Sequence, residues 1–230
     1  MAADAPKAAA ATVVATHPSI ISRVVALDTS VSLRIHSFCL PIPRFLLKAL
    51  EISGDGRFWF PILIAILPLS SASGFLAAYS LLLGLLLGFL LDLLLVGLIK
   101  HLVRRPRPVY NKGMHLTFAV DHWSFPSGHS SRVFFIAVYL HLSSASLRRV
   151  LLFDGRIAPT RRWIEGYFHG DLAELLVWTV SAWSISTSAS RVLLGRHYVL
   201  DVIAGACLGI LEALIVFNSL PLLGDRFLAI

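Results

Sequence analysis

The stretch Gly74–Ile99 decides what this chain can become. It is apolar almost without interruption and holds one charged residue, Asp92. As a helix it is long enough to cross a ~30 Å hydrocarbon core with some tilt. The rest of the chain agrees. Hydrophobic residues make up 57% and charged residues only 14%, with mean hydropathy +0.77, whereas a soluble domain has roughly a quarter of its residues charged. The predicted fold is an all-α polytopic membrane helix bundle.

Four further segments read as spans: Phe58 to about Ser73, Ser130 to Leu142 with an extension toward Leu147, Asp171 to Ala189, and Tyr198 to Phe217. That makes five, and six if Ser22–Leu50 conceals a short one. Residues 1–21 read as a disordered Ala-rich tail, and their composition is poor for a secretory or transit signal. Residues 22–56 read as amphipathic interfacial helices or a weak first span. Val24, Leu27, Val31 and Ile35 recur at helical spacing, Pro41 and Pro43 interrupt, and a second short helix is predicted over Arg44–Ile52. Residues 57–219 form the membrane domain and 220–230 a short tail. Asp92, inside a span, calls for a partner, either a structural one or the basic groups at the span end.

The formal charge is +7 and the pI about 9.9. In a soluble protein that balance raises nucleic acid as a partner. Here the basic residues gather at span ends, so the expected partners are the bilayer and an anionic lipid, not nucleic acid. Arg148 to Gly170, with five arginines, reads as a basic surface loop. Cys39 and Cys207 form no metal or redox motif.

Three polar stretches interrupt the apolar pattern, and the spans place all of them at one membrane face. Lys100–Pro108 (KHLVRRPRP) sets Lys100 and Arg107 two helical turns apart before a proline stop. Pro126–His129 (PSGH) opens a span, so that Ser127 and Gly128 offer N–H groups at a helix N-terminus, a natural anion site. Ser190–Asp201 (SRVLLGRHYVLD) brings Arg191, a planar fork suited to phosphate oxygens, near His197, with Gly195 as the break between two helices. Asp201 follows His197 by four residues, so on a helix it can accept the imidazole N–H and leave the other nitrogen free to attack. His17, His36, His141 and His169 read as surface or packed residues. His101, His115 and His122 stand nearer the polar cluster.

The ordered pattern K-x6-RP, PSGH, SR-x5-H-x3-D resembles the three-part signature of the type 2 phosphatidic acid phosphatase superfamily, with its haloperoxidase-like core. Every signature position is filled: Lys100, Arg107, Pro108, Pro126, Ser127, Gly128, His129, Ser190, Arg191, His197 and Asp201. The chain is also similar to the plant lipid phosphate phosphatase beta group and to animal polyisoprenoid diphosphate phosphatases. The resemblance implies hydrolysis of a lipid phosphate or isoprenoid diphosphate through a phosphohistidine. His197 is then the nucleophile, Asp201 its orienting partner, and His129 the acid and base. Lys100, Arg107, Ser127, Gly128 and Arg191 bind phosphate, while Arg104, Arg105 and Arg196 serve the anionic interface or a second phosphate. Positive side chains stand where many phosphotransferases use magnesium, so no metal and no cofactor are expected. The resemblance also implies an endoplasmic reticulum membrane. The competing reading is a non-catalytic lipid-phosphate binding or transport protein, which would need the cations but not His129, His197 and Asp201 together.

Overall fold

The computed structural model describes residues 19–72, 76–110, 122–153, 158–168 and 170–227. The bulk of the predicted Ala-rich tail, the boundary between the first two predicted spans at Ser73–Gly74, and His17, His115 and His169 lie outside them. Among the described residues are nine helices: α1 (Ile20–Phe38), α2 (Arg44–Ser53), α3 (Gly56–Ala72), α4 (Leu76–Val103), α5 (Gly128–Leu142), α6 (Ser144–Phe153), α7 (Ala158–Phe168), α8 (Leu172–Leu193) and α9 (Val199–Phe227). The arginine-rich connection after Ser143 is therefore largely helical. The C-terminal helix also runs well past Phe217.

Among the described residues two helices, α4 and α9, are each long and apolar enough to cross a membrane, and α5 with α6 is so only as a pair bent by 73°. In α3 the described helix is 17 residues. In α8, Ser181, Ser184, Ser186, Thr187, Ser188 and Ser190 dilute the apolar run. The outer face of α4 exposes Leu90, Leu93, Leu94 and Leu98. An all-apolar helix with exposed leucines is at ease only in lipid.

The bundle is built around α5. Between helices in a bilayer the hydrophobic effect gives little, so close backbone packing has to replace it. Two pairs of glycines four residues apart supply it. Gly84 and Gly88 of α4 face the rings of Tyr139 and Phe135, and Gly205 and Gly209 of α9 face the backbone carbonyls of Ser127 and Ser131. The Phe89 and Phe135 rings then meet at 5.9 Å, in a core with Leu63, Leu81, Ile136, Tyr139, Ala213 and Val216.

Helix α1 forms where the spacing predicts it, yet what it buries is the polar edge beside the apolar stripe. Val24, Leu27 and Val31 are exposed, and the buried positions are polar, Asp28 and Ser32. Asp28 Oδ1 accepts the N–H of Leu200 (3.1 Å) and Ser32 Oγ accepts that of Val199 (2.9 Å). Both are N–H groups at the start of α9 that have no intrahelical acceptor, so α1 caps α9 from outside. His36 does the complementary job for α8, its Nδ1–H donating to the Leu193 carbonyl at 2.7 Å. Asp92 is paired within the bundle: Arg132 of α5 donates to it at 2.8 Å.

A methyl group at residue 209 would fall on the Ser131 carbonyl oxygen, whereas one at residue 97 meets nothing within 4 Å. Gly209→Ala should therefore destabilise the detergent-solubilised protein by about 1–3 kcal/mol through overpacking. Gly97→Ala should leave the melting temperature unchanged or raised. Thermal unfolding of the two variants side by side checks the pair.

Candidate active site

The three polar stretches meet at one end of the bundle, at the end of α4, the start of α5, and the turn between α8 and α9. The connection after α4 is stitched to the one before α5. Pro106 and Trp123 form an isolated β-bridge, Ser124 N–H donates to the Arg105 carbonyl (2.8 Å), and the Ser124 hydroxyl donates to the Pro106 carbonyl (3.1 Å). The turn after α8 folds back on itself. The Arg191 carbonyl accepts the N–H groups of both Arg196 (2.9 Å) and His197 (3.2 Å), with Gly195 at φ +72° making the reversal. That φ favours glycine. This turn is why Arg191 and His197 share one pocket.

His197 is 2% exposed. Its Nδ1–H donates to the Ser124 carbonyl at 2.8 Å. That bond fixes the tautomer and leaves the Nε2 lone pair facing Arg107, whose Nη1 lies 3.2 Å away. The expected bond to Asp201 is not made, because Asp201 Oδ2 is 3.6 Å from Nδ1, outside hydrogen-bond range. Asp201 instead accepts from Arg105 Nη1 (2.7 Å) and from the Tyr198 N–H (2.9 Å). It sits in the first turn of α9, where those donors are closer than the imidazole. The orienting acceptor of His197 is thus a backbone carbonyl, with Asp201 just beyond it.

Burial, then the charges of Arg107, Arg191 and Lys100, hold the His197 imidazole well below its ordinary range, against the opposing pull of the Ser124 carbonyl. His197 is a neutral base at physiological pH. Lys100 is buried at the end of α4 and, with Arg107 and Arg191, lies within electrostatic reach of it. His129 is within reach of both Arg191 and His197. Its Nε2–H donates to the Glu51 carbonyl at 3.1 Å.

Several expectations need correction. Arg105 is not turned toward a second phosphate; it bridges Asp28 and Asp201, each at 2.7 Å, and its guanidinium lies 4.0 Å from the centre of the Tyr198 ring. Two buried carboxylates occupy that fork. Ser127 is the N-cap of α5, so Pro126 precedes the helix. The Ser127 hydroxyl accepts from the Ser130 N–H (3.4 Å) and hydroxyl (3.2 Å), and its N–H donates to the Asp201 carbonyl (2.9 Å). Ser127 is fully buried in this capping role. The adjacent Gly128 is partly open, in the first turn of α5.

Two site residues left no mark in the sequence reading. Ser124 acts through its carbonyl, which any residue type could present. Glu51 of α2 places Oε1 2.7 Å from Arg191 Nη1 and 3.2 Å from Arg196 Nε. Burial alone would raise the Glu51 carboxyl; Arg191 and Arg196 together more than offset it and hold it below the usual range. The signal was there in principle, as an acid in a short amphipathic helix of a strongly basic chain.

A neutral imidazole with one nitrogen fixed and guanidinium and ammonium charges near it thus stands at the end of a membrane-type helix bundle. The chain belongs to the PAP2 superfamily, whose family model matches residues 81–224. It is 42% identical over 208 residues to a protein of Arabidopsis thaliana named "Probable lipid phosphate phosphatase beta", covering 87% of this chain and 92% of that one. The fold is similar to that of a transmembrane PAP2 type phosphatidylglycerolphosphate phosphatase from Bacillus subtilis (TM-score 0.62, 22% identity, 86% of each chain). It is also similar to that of Aquifex aeolicus LpxE (TM-score 0.55, 23% identity, 84% of this chain and 95% of that one).

The cationic surroundings of His197 give a direct test. In ¹⁵N NMR of the solubilised protein its imidazole should titrate below the ordinary histidine value of 6.5. Arg107→Gln removes one of the charges responsible and should move the midpoint upward. A wild-type midpoint at or above 6.5, or a downward move in the variant, would contradict this electrostatic account.

Proposed function

We propose that this protein is a metal-independent phosphatase of membrane lipid phosphates, acting through a phosphohistidine on His197. The observation that carries the reading is the His197 ring itself: Nδ1–H is committed to the Ser124 carbonyl and Nε2 faces the cation-lined pocket. In the first step Nε2 donates its lone pair to phosphorus, the N–P bond forms and the P–O bond to the lipid breaks. The leaving oxygen takes a proton from His129, which enters the step as imidazolium, having gained a proton as the phosphate binds, and is left neutral. In the second step His129 accepts a proton from water, the hydroxide attacks phosphorus, and the N–P bond breaks to release phosphate and neutral His197. Lys100, Arg107 and Arg191 balance charge on the equatorial oxygens, and the Gly128 N–H adds a donor. Asp201 serves the nucleophile through space and through the turn it caps.

Phosphatidic acid and related phosphomonoesters are the proposed substrates. The name of the Arabidopsis relative supports a lipid phosphate. The neutralisation of Arg105 by two carboxylates removes one candidate ligand for a second phosphate and favours monoesters over isoprenoid diphosphates.

Purified protein in detergent with EDTA should release phosphate from phosphatidic acid faster than from farnesyl diphosphate. His197→Ala should abolish release, and Arg191→Gln should lower the rate by roughly 10²–10³, the scale for losing one preorganised charge-stabilising donor. Wild-type-like turnover by the His197 variant would sink the mechanism. Lipid binding without any turnover by the wild type would point instead to a binding or transport protein.

A further inference from the structure

Glu51 engages both of the groups that a phosphate would need. Its carboxylate lies 2.7 Å from Arg191 Nη1 and 3.2 Å from Arg196 Nε, with Oε2 3.5 Å from Arg196 Nη2. Its carbonyl takes the His129 Nε2–H at 3.1 Å. Arg191 is completely buried, and among the described residues none of its guanidinium nitrogens finds a hydrogen bond of good geometry, although Glu51 Oε1 is 2.7 Å from Nη1. The Glu51 contact is an ion pair of the kind a phosphate oxygen could replace with better aim. A carboxylate and a phosphate compete for the same planar fork. On the phosphatase reading, Arg191 and His129 must both face the substrate, so Glu51 has to let go of them during turnover.

The helix that carries Glu51 is suited to sense what displaces it. Phe45, Leu46 and Ile52 of α2 are exposed, and Arg44 and Lys48 lie on the same short helix. Apolar and basic groups together on one short helix suit the boundary between acyl chains and anionic headgroups. The C-terminal end of α2 is fastened: the Trp59 and Trp183 indoles donate to the carbonyl (2.7 Å) and the hydroxyl (2.8 Å) of Ser53.

We propose that Glu51 is a specificity-determining gate at the phosphate subsite. Its carboxylate holds the subsite against free phosphate and short soluble esters. A lipid phosphomonoester opens it, because the headgroup displaces the carboxylate while the acyl chain lies along Phe45, Leu46 and Ile52. Binding energy from the non-reacting tail offsets the cost of breaking the Glu51 ion pairs, which a soluble ester cannot match. The proposal rests on the phosphatase reading for its chemistry, but its binding part needs no turnover.

Glu51→Gln keeps the shape and the backbone carbonyl and removes the charge. Inorganic phosphate, titrated against the protein's tryptophan emission, to which Trp59 and Trp183 contribute, should bind the variant about tenfold more tightly than wild type, a shift equal to ~1.4 kcal/mol. Hydrolysis of p-nitrophenyl phosphate should gain a similar factor in kcat/KM, mainly through KM. Phosphatidic acid in mixed micelles should change much less, so that the preference for lipid collapses. Ile52→Ser should do the converse, lowering kcat/KM for the lipid and sparing the soluble ester. Unchanged or weaker phosphate binding in Glu51→Gln would overturn the gate. Equal factors for soluble and lipid substrates would overturn it as well, since a merely structural Glu51 affects both alike. If wild type hydrolyses no lipid at all, the phosphatase reading falls, and the phosphate titration still decides whether Glu51 guards the subsite. Should Glu51→Gln not fold, Glu51→Asp, with its carboxylate withdrawn by one methylene, should shift phosphate binding in the same direction.

Discussion

Everything at the functional end of this bundle depends on compensating buried guanidinium charge. Removing an ion from water costs several kcal/mol even after relaxation, and only well-placed counter-charges make it tolerable. Arg105 is held by Asp28 and Asp201, Arg132 by Asp92, and Arg191 and Arg196 by Glu51. Each of these ties joins segments far apart in the chain: α1 and α9 through the connection after α4, α5 to α4, and α8 to α2. The charges thus do for the polar end what paired glycines do for the apolar middle. In lipid neither end can rely on the hydrophobic effect between helices. One of these cations, Arg191, also joins burial, Arg107 and Lys100 in keeping His197 neutral, so fold and reactivity meet at that residue.

This constraint also explains why α1 buries its polar edge. An amphipathic helix in water buries its apolar stripe. At a membrane boundary the solvent for apolar groups is outside, and the scarce resource inside is an acceptor for the orphan N–H groups and cations of the site. Asp28 and Ser32 supply that, and Val24, Leu27 and Val31 are left facing outward. The spacing of apolar residues revealed a helix correctly, but spacing alone says nothing about which medium each face meets.

The legibility of the rest divides along the same line. Side-chain chemistry at fixed intervals was readable: Lys100, Arg107, His129, Arg191 and His197 stand at one end of the bundle, as counting apolar segments required. The glycine pairs Gly84/Gly88 and Gly205/Gly209 were also present as patterns, though only packing gave them meaning. Backbone groups were not readable, and two of them matter most. The Ser124 carbonyl orients His197, and the Glu51 carbonyl receives His129. Nor could spacing choose among competing donors for Asp201. Four residues after a histidine, a carboxylate on a regular helix shares its face. Here His197 lies before α9 begins, and the free N–H of Tyr198 and the guanidinium of Arg105 take the carboxylate first.

That substitution of carbonyl for carboxylate suits the proposed chemistry. A carboxylate bonded to Nδ1–H would stabilise the imidazolium and work against a nucleophile that must be neutral to attack. A carbonyl fixes the same tautomer with a weaker pull. In the proposed phosphohistidine, with Nε2 bonded to phosphorus and Nδ1 keeping its proton, the ring carries positive charge. The Asp201 carboxylate, 3.6 Å from Nδ1, is then close enough to stabilise it. Arg105 tempers that carboxylate from its other oxygen. On the proposed mechanism the arrangement favours the ring more after attack than before it, which is what lowering the barrier to a covalent intermediate requires.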